Sequence, residues 1–216
     1  MINDNDLPLN IFSDASFQHD DACYGAVAVY NDKIIDEYYR INTDTTVNEG
    51  ELRGIRSSLE LALKYRYQFK TINLFSDSLY TVNALRDHSN SWHWDYGKNT
   101  YVYPTGTIIA NQELIYECLC LLWELMKTNI VCIYHQKGHV TRKRNGLEKA
   151  CTKFKKYNNL REAPTQETMS YLSYYNDYVD KHTRFVLHRT DTIHNEFIDP
   201  INFVPRPYDL IYQNIQ

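Results

Sequence analysis

The stretch NIFSDASF, residues 10–17, places an aspartate directly after a run of mostly apolar residues. The run predicts a short strand at residues 9–13, so Asp14 is expected at the buried end of that strand. An ionised carboxylate in such a place is costly unless a positive charge balances it. The stretch therefore leaves two interpretations of Asp14, a turn cap or a metal ligand.

Beyond this stretch, the spacing of apolar residues alternates between the period of strands and the period of helices. Three strands predict an antiparallel meander, and the alternating helices and strands that follow predict a mixed sheet with helices on its faces. Asn48 is the expected N-cap of the helix after the meander. The later strands are expected at residues 24–30, 34–41, 71–76 and 129–135, and the later helices at 78–85, 111–127 and from about 165 to 184.

The order of the strands brings two aspartates together. Right-handed crossovers place the fourth and fifth strands parallel to the first, which predicts an α/β fold with a five-stranded mixed sheet of order 3-2-1-4-5 flanked by helices. Asp14 and Asp77 follow the carboxyl ends of neighbouring strands, where open α/β sheets bind ligands. Carboxylates this close repel unless a divalent cation holds both, and their hard oxygens suit Mg²⁺ or Mn²⁺.

Two helices carry further polar groups that could join this pair. Glu51 lies in the first turn of the helix after the meander, and Asn176 and Asp180 lie one turn apart on the last helix. Each also has an ordinary explanation, because Glu51 complements the helix dipole and the other two suit the surface of a helix. Taken singly, these residues leave both explanations open.

The order and neighbourhood of four motifs resemble type 1 ribonuclease H: SDAS (13–16), NEGEL (48–52), FSDSLY (75–80) and the pair Asn176 and Asp180. The resemblance covers residues 9–140 and resumes at 170–184. It implies an RNase H-like fold and a metal-dependent endonuclease that hydrolyses the RNA strand of RNA/DNA hybrids. It also implies two Mg²⁺ ions per site, with Mn²⁺ as the alternative ion, and an RNA/DNA hybrid as the partner.

Carried over to this sequence, the family's metal ligands are Asp14, Glu51, Asp77 and Asp180. The resemblance implies that Asp14 bridges the two ions and that Asp180 completes the site that activates water. Glu51 and Asp77 would hold the ion that stabilises the leaving oxygen. Asp177 is the rival fourth ligand, but Asp180 keeps the four-residue offset from the asparagine of its motif.

The resemblance also assigns roles outside the four acids. His139, in QKGHV, matches the family's mobile-loop histidine, which is implied to help protons or product leave; the alternative is an ordinary loop histidine. Thr46 and Asn48 match positions that contact the DNA phosphate and the minor groove. Recognition of a hybrid needs 2′-OH contacts on the RNA strand and a deformable DNA strand.

A basic segment separates the last two motifs. Residues 137–156 contain eight Lys or Arg and one acid, a pattern that usually forms a solvated face. The alternative is that residues 145–159 form a helix beside the active site and contact nucleic-acid phosphates through Lys153, Lys155 and Lys156.

Composition sets the expected organisation. With 216 residues and 43% hydrophobic content, we expect one RNase H-like domain at residues 1–186, with a basic insertion at about 140–170 and a C-terminal tail at 187–216. No apolar run reaches the length of a membrane span, so we expect a soluble protein in the cytoplasm, or in the host cytoplasm if a phage encodes it. Five cysteines without a CxxC pair predict reduced thiols. No separate hybrid-binding domain is expected before the first strand.

Two other functions fit the same fold. One is a nuclease that acts on structured DNA or double-stranded RNA, and the other is a catalytically degenerate RNase H-like module that only binds nucleic acid. Retention of all four carboxylates argues against the module, because clustered acids that repel one another bring a binding protein no advantage.

Overall fold

The computed structural model describes residues 7–88, 91–138, 140 and 146–193. The strands are β1 (Leu9–Gln18), β2 (Asp21–Tyr30), β3 (Lys33–Asn42), β4 (Thr71–Ser76), β5 (His93–Asp95), β6 (Thr100–Val102) and β7 (Ile130–His135). The helices are α1 (Val47–Tyr65), α2 (Leu79–Asn83) with a π-helical continuation (Ala84–His88), α3 (Gln112–Met126), α4 (Gly146–Tyr157) and α5 (Gln166–Ile193).

The main sheet has five strands in the order β3-β2-β1-β4-β7. Strands β1 to β3 pair antiparallel, whereas β4 pairs parallel with both β1 and β7. This confirms the predicted mixed sheet and its order, with β7 as the predicted fifth strand. The difference in number arises because a separate two-stranded hairpin, β5 and β6, precedes it.

Two layers of helices cover the sheet, because successive residues of a strand point to opposite faces. On one face Ile11 belongs to the core cluster that contains Leu52 of α1. On the other face Phe12 stacks on Phe75 with 4.8 Å between ring centroids, and on Tyr175 of α5 with 5.4 Å. Helices α1 and α3 therefore form one layer, and α4 and α5 form the other.

Strand β1 is longer than its apolar run. The parallel ladder with β4 ends at the pair Ser13 and Ser76, but antiparallel pairing with β2 continues through Asp14, opposite Gly25, to Gln18. The prediction that the strand ends at residue 13 was therefore wrong. Asp14 is the first residue beyond the parallel ladder, so its side chain still lies at the carboxyl edge that β1 shares with β4.

Helix α1 begins at Val47, and Thr46 is its N-cap. The Thr46 side-chain oxygen accepts a hydrogen bond from the Glu49 backbone N–H at 3.3 Å. The prediction of Asn48 as N-cap was wrong, because a threonine two residues earlier already provides the capping oxygen.

Helix α5 continues to Ile193, beyond its predicted end near Arg184. The extension packs on the sheet, since Val186 and Leu187 share a buried cluster with Cys23 of β2. The predicted tail therefore begins with helix, and its remaining residues 194–216 lie outside the described residues.

The basic insertion contains the expected helix. In α4 the residues Cys151 and Phe154 are buried, and the Phe154 ring stacks on Tyr134 of β7 at 5.7 Å. The aromatic-rich segment before α3 contains the β5–β6 hairpin, in which Trp94 and Tyr101 pack edge to face at 5.0 Å. All five cysteines are free. Among the described helices, none has the length and apolar character needed to cross a membrane.

Candidate active site

Three carboxylates meet at the carboxyl edge of the sheet. One oxygen from each of Asp14, Glu51 and Asp77 lies within 4.8 Å of the others. Asp14 extends from β1, Asp77 follows the last residue of β4, and Glu51 reaches over from the first turns of α1. The structure thus brings together the two aspartates and the helix glutamate that the sequence singled out.

A glycine lets α1 approach the strand that carries Asp14. A Cβ built on Gly54 would lie 3.3 Å from the backbone oxygen of Asp14, so a side chain at this position would require a shift of a few tenths of an ångström. Leu52 and Ile55 are fully buried against the sheet. Glu51 precedes this contact by less than one turn, and this close approach brings its carboxylate to the sheet edge.

Helix α5 supplies the fourth carboxylate. Asp180 lines a cleft of about 350 Å³ together with Asp14, Glu51 and Asp77, whereas Asp177 does not line it. The helix is fixed to β1 by the hydroxyls of Ser16 and Thr183, which lie 2.7 Å apart. Thr183 also donates a hydrogen bond to the Asp180 backbone oxygen at 3.0 Å.

The crowded acids change the electrostatics of the cleft. Burial raises the pKa of Asp14 well above its usual range, and the neighbouring charges of Asp77, Glu51 and Asp180 raise it further. The Ala15 N–H, which donates to the Asp14 carboxylate at 2.7 Å, acts in the opposite direction. Burial likewise raises the pKa of Glu51, with contributions from Asp77 and Asp180. The protein alone therefore does not balance the negative charge at Asp14 and Glu51.

The donor set fits a hard divalent cation. Carboxylate oxygens are the ligands that Mg²⁺ and Mn²⁺ prefer, and a bound cation would reverse the repulsion that raises these pKa values. Within the described part of the chain, the buried Oε2 atom of Glu51 has no hydrogen-bond partner, so it is available as a ligand.

The buried side chain of His135 contacts the backbone of Asp77. The His135 Nε2 atom lies 3.0 Å from the Asp77 backbone oxygen, and burial lowers the pKa of the imidazole. The Asn158 side chain accepts a hydrogen bond from the His135 N–H and donates one to the His135 carbonyl, each at 2.8 Å. These contacts connect the end of α4 to Asp77 and place that end at the edge of the sheet that carries the acids.

The other predicted site residues lie outside the cleft or outside the described residues. Thr46 and Asn48 are exposed at the start of α1, and neither lines the cleft. Lys153, Lys155 and Lys156 of α4 are exposed and do not line it either. His139 lies outside the described residues.

Sequence reasoning missed three residues at the site. Arg184 and His188 follow Asp180 by one and two helical turns and line the same cleft. Gly138 lies against the carboxylate of Asp77. Arg184 and His188 follow Asp180 at four-residue spacing, which would place them on the same side of a helix as Asp180. The sequence shows this for both residues only if α5 is known to extend beyond residue 184.

Comparison with known proteins places this site in a family. The RNase H family model matches residues 6–152. Curated ribonucleases H of Thermoanaerobacter sp. (strain X514) and Thermoanaerobacter pseudethanolicus are 33% identical over 104 residues. That match covers 48% of this chain and 60% of each relative's length.

Two solved structures have low similarity. RNase H1 from the halophilic archaeon Halobacterium salinarum is 19% identical, with 66% of this chain and 99% of that chain covered and a TM-score of 0.42. LC11-RNase H1, solved in complex with RNA/DNA hybrid, is 15% identical, with coverages of 59% and 85% and a TM-score of 0.42.

The family model spans more than half of the chain and includes three of the four acids. The chain therefore belongs to the RNase H family. This confirms the resemblance to ribonuclease H that the four motifs indicated.

Proposed function

We propose that this protein is a divalent-metal-dependent endonuclease that hydrolyses the RNA strand of RNA/DNA hybrids. The observation that carries the proposal is the convergence of the Asp14, Glu51 and Asp77 oxygens within 4.8 Å, with Asp180 in the same cleft. Membership of the RNase H family and two curated relatives named ribonuclease H support the same activity. The cytoplasm, or the host cytoplasm for a phage-encoded chain, is the proposed location.

The proposed ligands are Asp14, Glu51, Asp77 and Asp180. Two Mg²⁺ ions held by these carboxylates, or Mn²⁺ in their place, would supply an activated water and stabilise the leaving oxygen of a phosphodiester. The protein positions the ligands in advance. The hydroxyl contact between Ser16 and Thr183 fixes the helix that carries Asp180, and His135 fixes the backbone at Asp77.

Residues beyond the four acids have proposed roles in substrate binding and product release. Thr46 and Asn48 would contact the DNA strand, and His139 would help protons or product leave the site. The domain would comprise residues 1–186, with a basic insertion at about 140–170 and a C-terminal tail at 187–216 whose first residues continue α5. The lysines of α4 would bind phosphates, because the contacts through Asn158 bring the end of that helix to the edge of the sheet that carries the acids.

The test is cleavage of a labelled RNA/DNA hybrid beside matched double-stranded RNA, duplex DNA and single strands, with Mg²⁺, Mn²⁺ or a chelator. We expect cutting of the RNA strand in the hybrid only, and only with a divalent ion. Cutting of another substrate instead would assign the chain to a sister nuclease of the same fold. Binding without cutting of any substrate would indicate a degenerate binding module.

Reversing the charges of Lys153, Lys155 and Lys156 to glutamate is expected to weaken hybrid binding by about 10-fold or more at low salt. The salt dependence of binding should also flatten, because fewer counterions are released from the phosphates. Fluorescence anisotropy at several salt concentrations measures both effects. A triple reversal of Lys33, Lys64 and Lys70 is the control for net charge alone; equal losses in the two variants would contradict a specific role for α4.

A further inference from the structure

An arginine shares the cleft with the four acids. The Arg184 Nε atom lies 2.8 Å from Oδ1 of Asp180, one helical turn before it on α5. Among the described residues that line the cleft, Arg184 and His188 are the basic ones. A proposed metal ligand is thus already paired with a cation that belongs to the protein.

The two partners differ in their freedom to move. The Asp180 side chain is 5% exposed, whereas the Arg184 side chain is 45% exposed and reaches the carboxylate from the solvent side. The carboxylate is therefore fixed by its surroundings, while the guanidinium sits on a long stem that can turn away without disturbing the core. A cation that approaches the cleft meets Arg184 at Asp180.

We propose that Arg184 competes with the divalent cation for Asp180, and that cation binding releases its guanidinium to a phosphate of the bound nucleic acid. The competition concerns only Arg184, the acids and the metal, whereas the release to a phosphate rests on the proposed function. In the metal-free protein Arg184 offsets part of the repulsion among the four carboxylates. In the loaded protein the same charge is available to the substrate.

The chemistry of the groups favours this exchange. A divalent ion concentrates two charges on a point that several carboxylates can reach together, so it interacts more strongly with the cluster than one guanidinium does. The planar guanidinium matches the geometry of a phosphate with two parallel hydrogen bonds. His188 lies one further turn along α5 and lines the same cleft. Arg184 and His188 therefore lie on the side of α5 that carries Asp180, where both can face a bound anion.

The test is calorimetric titration of Mn²⁺ into the metal-free protein, followed by hybrid binding. Arg184→Gln is expected to bind Mn²⁺ about 3- to 10-fold more tightly than the wild type, because one competing ion pair is gone. Arg56→Gln is the matched control, since Arg56 pairs with Glu60 four residues away on α1 but does not line the acidic cleft. It should bind Mn²⁺ like the wild type, and thermal melting checks that both variants fold.

The second arm measures hybrid affinity by anisotropy in Ca²⁺, under conditions where no cleavage is detected. Arg184→Gln should bind the hybrid about 3- to 10-fold more weakly, and Arg184→Lys should lie between it and the wild type. Duplex DNA is measured in parallel to identify a phosphate contact that does not depend on the RNA strand.

The outcomes separate this inference from the proposed function. Tighter Mn²⁺ binding by Arg184→Gln, in a protein that cuts no hybrid, would support the competition and contradict the nuclease. Equal or weaker Mn²⁺ binding by Arg184→Gln would overturn the inference, because the arginine would then only orient Asp180. Unchanged hybrid affinity would overturn the release to phosphate, and a wild type that binds no Mn²⁺ would overturn both proposals.

Discussion

Asp14→Asn is expected to lower the rate of hybrid cleavage by roughly 10³-fold or more, while it stabilises the metal-free protein. Asp14 is 5% exposed, and its oxygen lies within 4.8 Å of oxygens from both Glu51 and Asp77. The asparagine keeps the shape of the side chain but removes the charge that would hold a cation between these neighbours. In the metal-free protein, the same loss of charge relieves the repulsion among the carboxylates.

The stabilising half of this prediction depends on pH. The folded protein holds the pKa of Asp14 above its ordinary value, so the folded state binds more protons than the unfolded state. The wild type therefore loses stability as pH rises from about 4 through the raised pKa. The advantage of Asp14→Asn should be about 1 kcal/mol or more at neutral pH and disappear below about pH 4.

Divalent metal should make the wild type more stable than Asp14→Asn. A ligand that binds only the folded state adds about 2.7 kcal/mol at one hundred times its dissociation constant, and the wild type should gain most of this stabilisation. Chemical denaturation at several pH values, with Mg²⁺ and with chelator, measures both effects beside the cleavage rate. Asp177→Asn is the matched control, because this residue lies on α5 outside the cleft. A variant at Asp14 that still cuts the hybrid would exclude it as a ligand.

The sequence was most informative where local pattern determines position. The apolar runs before Asp14 and Asp77 fixed two parallel strands, so the meeting of these two carboxylates followed from topology. Glu51 and Asp180 could be assigned only through the resemblance, because a helix-opening glutamate and a helix aspartate each have common structural explanations.

Other features depend on packing between distant segments. The length of α5, and with it the position of Arg184 in the cleft, depends on Val186 and Leu187 meeting Cys23 of β2. No local pattern in the tail reveals that contact. The β5 and β6 strands have three residues each, too few to produce a clear period of two. The position of Gly138 against Asp77 depends on how the chain leaves β7, which the sequence does not specify.

Gly138→Ala is expected to lower the cleavage rate by about 10²-fold and to weaken Mn²⁺ binding, although the protein still folds. A Cβ at this position would overlap the Oδ2 atom of Asp77, and it would lie 3.5 Å from the Asn176 side-chain nitrogen. The His135 side chain donates a hydrogen bond to the Asp77 carbonyl and holds the backbone there. The Asp77 carboxylate therefore has to rotate away from the added methyl group. An ion ligand is then displaced without any change in its charge.

The rate of hybrid cleavage, the calorimetric Mn²⁺ affinity and the melting temperature together test this steric prediction. Gly97→Ala is the matched control, because its Cβ would lie 3.3 Å from a carboxylate oxygen of Asp95 in a turn that does not line the cleft. That variant should keep the wild-type rate and Mn²⁺ affinity. If Gly138→Ala also keeps both, the Asp77 carboxylate can move without cost to the site, and Asp77 then does not hold an ion. If the rate falls but Mn²⁺ affinity does not, Gly138 provides space for the substrate and not for the ligand.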